Sequence, residues 1–233
     1  MRPRLVIMPA AYAALALALV SLIALAFAQT RRDKPRVPPG VDPGGVTIAI
    51  IGSGIDYTRP EIAARLARDG EGELVGWDFV DNDRRPFEDC AQSVPPRACG
   101  HDLIGPLLGT RPRLIPLRVA SDRPDTLVGS IQAASTMPTR IVLLLVEPLL
   151  PIAFIEQAAH RFPKLAFIGI APDIGPIAKR GDNYVGIPAG GKVGDARIAG
   201  AYFASTAIMC ATRSRALDAA GITKCAFEQP PAQ

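Results

Sequence analysis

The chain predicts an α/β fold of three layers: a mostly parallel central sheet with helices on both faces. Three observations lead there. Apolar runs recur at residues 46–51, 140–146 and 165–171, and each is apolar on both faces, as in a strand with cover above and below. Amphipathic segments of helical period separate these runs. Gly- and Pro-rich stretches punctuate the joins.

The elements follow in order. Residues 46–51 (VTIAII) form a buried strand, and Gly52-Ser53-Gly54 break it. Pro60 opens a helix whose apolar positions are Ile62, Ala63, Leu66 and Ala67. Residues 73–80 (ELVGWDFV) form a short strand, and 81–100 a polar surface loop. Residues 114–120 are the next strand, 126–135 a short helix, and 140–146 (RIVLLLV) a central strand. Residues 151–162 form an amphipathic helix, with Ile152, Ile155, Ala159 and Phe162 on one side. Residues 165–171 (LAFIGIA) are another buried strand. Residues 174–196 are loop with one short strand at 184–187, and 196–220 form the longest helix. In a parallel sheet, sites gather at the C-terminal strand ends. Here those are Gly52, the loop after Ala171 and the start of the last helix.

The N-terminus stands apart from this pattern. Arg2 and Arg4 precede an uncharged apolar run over residues 5–28 that closes on Ala26-Phe27-Ala28. This is a secretory signal peptide or an uncleaved membrane anchor. Either places the domain in the periplasm or outside the cell, the anchor holding it to the inner membrane by residues 5–28. Residues 29–45, charged and then Pro/Gly-rich, read as a linker to a domain over 46–225, with 226–233 as a tail. Of the formal net charge of +4, Arg2 and Arg4 supply half. The remaining balance gives no reason to expect nucleic acid as a partner.

Export makes the cysteines legible. Four cysteines in an oxidising compartment point to disulfides. The parsimonious pairing is Cys90 with Cys99 and Cys210 with Cys225, one of three that four cysteines allow. No metal or cofactor is expected: Cys-x-x-Cys does not occur, and His101 and His160 are the two histidines. IAIIGSGI has the look of a dinucleotide-binding turn, yet the third small residue of that fingerprint falls at Tyr57.

Residues 46–62 (VTIAIIGSGIDYTRPEI) resemble the first catalytic block of the subtilases, the subtilisin-like serine proteases. Ser53-Gly54-Ile55-Asp56 and Arg59-Pro60-Glu61-Ile62 match that pattern, and the family's catalytic Asp falls at Gly52. Cys99-Gly100-His101 keeps the Gly-His of the family's histidine block, which puts the base at His101. Leu114-Ile115-Pro116-Leu117-Arg118-Val119 is similar to a structural strand of the family. Ile170-Ala171-Pro172-Asp173 aligns with the oxyanion block, with Asp173 at the Asn position. Gly200-Ala201-Tyr202-Phe203-Ala204 aligns with the nucleophile block, with Tyr202 at the Ser position.

The resemblance implies a subtilisin-like three-layer fold and, position by position, a silent one. Gly52 has no carboxylate to orient a histidine. An ionised Asp173 accepts hydrogen bonds where an oxyanion needs a donor. The Tyr202 phenol is a poor stand-in for a serine hydroxyl. Glu147-Pro148 follows the central strand where the family lays its substrate, and Pro lacks the N–H for that pairing. The expected function is therefore an exported pseudoprotease acting by binding a peptide or protein. The alternatives are an active subtilisin-like endopeptidase in another register, using Ser53, Ser130 or Ser205, and an unrelated α/β binding domain.

Overall fold

β1 (Thr47–Gly52) is buried along its whole length and sits inside the sheet. The computed structural model describes residues 34–88, 104–146, 152–171, 176–188 and 193–229. The chain divides into two units after Lys34, and every described element lies in the second. After β1 come α1 (Pro60–Ala63), β2 (Trp77–Asp78), α2 (Gly105–Leu108), β3 (Arg113–Arg118) and α3 (Pro124–Thr136). Then follow β4 (Ile141–Leu144), α4 (Ile152–Arg161), β5 (Ala166–Ala171), β6 (Ala178–Lys179) and β7 (Tyr184–Pro188). The chain ends in α5 (Val193–Arg213) and α6 (Ala219–Glu228).

Seven strands form one sheet in the order β2-β3-β1-β4-β5-β7-β6. All described pairings are parallel except β6 with β7. Alternation along each strand makes the layers. Ile48 and Ile50 of β1, Leu114 of β3, Ile141 and Leu143 of β4, and Ile168 and Ile170 of β5 enter one apolar cluster. Their neighbours Ala49, Ile51, Ile115, Leu117, Val142, Leu144 and Phe167 enter the other. Phe203, Ala204, Ala207 and Ile208 of α5, with Ile222 of α6, close the first face. Leu127 and Ile131 of α3 and Ile155 and Ala159 of α4 close the second. Each such fully buried Ile or Leu contributes roughly 1.5–3 kcal/mol of burial. The α/β architecture expected from the sequence is the one observed.

Four local expectations change. The helix after Pro60 lasts one turn, not two. Beyond Ala63 the backbone joins the sheet instead: the Leu114 N–H donates to Arg65 and the Ala67 N–H to Leu114, both at 2.7 Å. Leu66 and Ala67 are buried as the helical period required, though by a different backbone. The strand expected over 73–80 pairs at only Trp77 and Asp78. The Asp78 carboxylate accepts from the N–H groups of Val80 and Asp81 at 2.8 and 3.0 Å and turns the chain away.

The last helix is two helices. α5 ends at Arg213, and Asp218 caps α6 by accepting from the Gly221 N–H at 2.7 Å. Cys225 therefore lies within α6, and it is disulfide-bonded to Cys210 of α5. Cys90 and Cys99 lie outside the described residues. Finally, residues 35–45, expected as a linker, are fastened to the domain. Asp42 pairs with Arg113 at 2.6 Å, the Arg68 guanidinium donates to the carbonyls of Pro38 and Gly72, and the Tyr57 hydroxyl donates to Pro35.

Candidate functional site

Parallel pairing brings the C-terminal ends of β1, β3, β4 and β5 to one edge of the sheet. β1 ends there in Gly52, in register with Arg118 of β3. The Gly52 carbonyl accepts from the Val119 N–H, and the Ile51 carbonyl from the Leu145 N–H, each at 2.8 Å. Gly52 is buried, but its backbone does not demand glycine. A β-carbon at 52 would make an ordinary contact with the Leu145 Cβ at 3.4 Å. Gly54 differs: its φ is +109°, and a β-carbon would come within 2.9 Å of the Pro86 carbonyl oxygen. The close approach of residues 86–88 fixes Gly54, whereas no contact fixes Gly52.

The acids of this edge are engaged with one another's neighbours. Asp78 is fully buried and pairs with the Arg118 guanidinium at 2.8 Å. Asp81 takes the same guanidinium at 2.9 Å. Burial opposes the charge on Arg118, but the Asp78 hydrogen bond and the charges of Asp78 and Asp81 outweigh it and hold its pKa above the ordinary value. Arg118 also donates to the Ser53 carbonyl at 3.2 Å, tying the β1 turn to β3. The Ser53 hydroxyl donates to the Glu88 carboxylate. Asp56 accepts from the Thr58 N–H at 3.0 Å and from its hydroxyl at 2.5 Å, a local turn leading into α1. None of these carboxylates is carried by β1 itself, and that of Glu88 is held at the residue that follows it.

His101 and Asp173 lie outside the described residues, as does the Glu147-Pro148 segment. Tyr202 is described and is 44% exposed. Because α5 starts at Val193, Tyr202 is in its third turn and not at its start. A β-carbon on Gly200 would face Leu143 and Ile187 of the sheet, and Tyr202 stands about 200° further round the helix. Its ring thus lies on the solvent side, in a row with Ile198 and Met209.

Of the three serines considered as alternative nucleophiles, Ser130 is buried in α3 and donates to the Leu127 carbonyl at 2.8 Å. Ser205 is buried within α5. Ser53 alone of the three is on the Gly52 edge. The cluster of Arg118, Asp78 and Asp81 was not foreseen. Its signal in the sequence is a lone Arg closing an apolar strand, with an Asp inside the neighbouring apolar run. Among the described residues no group of His, Cys, Asp and Glu is arranged to hold a metal ion, and no helix is long and apolar enough to cross a membrane. No family model matches the chain, and no curated protein matches it.

Proposed function

We propose that this chain is a degenerate subtilase-like domain, catalytically silent, that acts by binding a peptide or protein. The observation that carries the reading is the end of β1. The position that the resemblance assigns to the orienting acid is a glycine, although a β-carbon there would make only an ordinary contact. The nearby acids are committed elsewhere: Asp56 to its own turn, Asp78 and Asp81 to Arg118, and Glu88 to Ser53. A histidine brought to this edge would find no carboxylate at Gly52 to fix its tautomer or to stabilise its imidazolium.

The rival reading, an active serine endopeptidase, has one observation in its favour: Ser53 presents a hydroxyl at the same edge. Its proton is given to the Glu88 carboxylate, a weak base for activating a serine hydroxyl. Work outside the cytoplasm follows from residues 5–28 and is supported by the Cys210–Cys225 disulfide. Incubation of the purified chain with denatured casein and a mixed peptide library tests the silent reading. No new peptide termini are expected over the background of a Ser53→Ala control. Cleavage that Ser53→Ala removes overturns it in favour of the endopeptidase.

A further inference from the structure

The sheet edge opposite Gly52 holds a cleft of about 620 Å3. It opens where the N-terminal ends of β1 and β4 meet the C-terminal end of α5. Arg140 enters it just before β4, Arg215 just after α5, and Arg111 from the turn before β3. Three arginines line this concavity, and among the described residues no Asp or Glu does. Gathered cations without a counter-charge repel one another, and an anion between them removes that repulsion.

The three arginines are not equivalent. Arg140 is anchored, since its guanidinium donates to the Leu217 carbonyl. Among the described residues, Arg111 and Arg215 have neither a carboxylate nor a hydrogen-bond partner for their guanidiniums. The threonines of the lining contribute less. Thr110 and Thr212 give their protons to the carbonyls of Leu107 and Ile208 at 2.7 and 2.8 Å. Recognition at this site therefore falls to the guanidiniums.

The backbone supplies a second, independent sign. Arg111 has φ +52°, in the left-handed region that suits glycine and asparagine. Gly45, another lining residue, also has a positive φ, +94°. Strain of this kind persists where the surroundings enforce a geometry, and it concentrates at ligand sites. A helix C-terminus favours nearby cations in any protein. That accounts for Arg140 and Arg215 beside α5, whereas Arg111 follows the single turn of α2 on the other lip of the cleft.

We propose that this cleft binds a small solute carrying clustered oxyanions, either phosphoryl or carboxylate groups. Guanidinium forks take both bidentately. The volume falls within the roughly 300–1,000 Å3 usual for small-molecule sites. The site shares no residue with the Gly52 edge, so it stands or falls separately from the silent-protease reading. Isothermal titration of the full chain at low ionic strength, with inorganic pyrophosphate and separately with citrate, tests it and tells the two chemistries apart. Saturable binding of one of them at one site per chain is expected. Arg215→Ala and Arg111→Gly should each weaken it by about ten-fold or more, and Arg161→Ala on α4 should leave it unchanged. Arg111→Gly removes the charge and the strained φ together, so this variant should lose ligand while its Tm holds or rises. Binding of neither ligand at about 10 mM, or equal weakening by Arg161→Ala, or full affinity in both cleft variants, overturns the proposal.

Discussion

At position 52 a β-carbon would meet nothing closer than the Leu145 Cβ at 3.4 Å, whereas at position 54 it would overlap the backbone of residues 86–88. The two glycines should therefore respond differently to substitution. Gly52→Ala should cost no more than about 1 kcal/mol in denaturant unfolding, and Gly52→Asp should confer no hydrolysis. Gly54→Ala should cost upwards of about 1–3 kcal/mol, from strain at positive φ added to the overlap. Equal costs would show that Gly52 is held by its backbone after all. Tyr184 offers a second residue-scale test. It is fully buried, its hydroxyl has no hydrogen-bond partner among the described residues, and burial pushes its pKa up to about 12. The neutral form is the native one, so its contribution is complete below pH 10, the unfolded value, and is lost as pH rises toward 12. Tyr184→Phe should raise stability by about 1 kcal/mol at pH 7, because it deletes an unsatisfied buried hydroxyl. The same variant should flatten the loss of stability between pH 10 and 12, both read by urea unfolding across pH.

At the scale of elements, the Cys210–Cys225 disulfide joins α5 to α6 across 15 residues. Cys210→Ser with Cys225→Ser should lower stability by about 2–4 kcal/mol, and reduction of the native chain should do the same. Unchanged unfolding would mean that the packing of α6 alone holds the C-terminus. The strands that are apolar on both faces, β1, β4 and β5, were legible in the sequence, because burial on two sides leaves no polar position to blur the pattern. Elements decided by a single polar side chain or by the sheet edge were not. The period of Ile62, Ala63, Leu66 and Ala67 fits a helix, yet backbone bonds to Leu114 draw Arg65 and Ala67 onto β3. The end of β2 is set by the Asp78 carboxylate and the start of α6 by that of Asp218. Each is one acid within an apolar stretch, which a periodicity count passes over. At the candidate site, Gly52 was singled out by a resemblance that expects an acid there, and the structure places it at the buried C-terminal end of β1. The ion cluster of Arg118, Asp78 and Asp81 was not legible, since Arg118 lies 40 and 37 positions along the chain from the two acids.

For the molecule as a whole, the two edges of the parallel sheet differ in character. Its C-terminal edge ends in Gly52 beside Arg118, which is paired with both Asp78 and Asp81. Its N-terminal edge carries unneutralised arginines around a cleft. The silent-protease proposal turns on the absence of an activated nucleophile, which is its central claim. A fluorophosphonate probe reports it directly, because it reacts only with a serine hydroxyl that a neighbouring base has made nucleophilic. The purified chain, exposed to excess probe and examined by intact-mass spectrometry, should remain unlabelled. Stoichiometric labelling that disappears on replacing a single serine would contradict the claim.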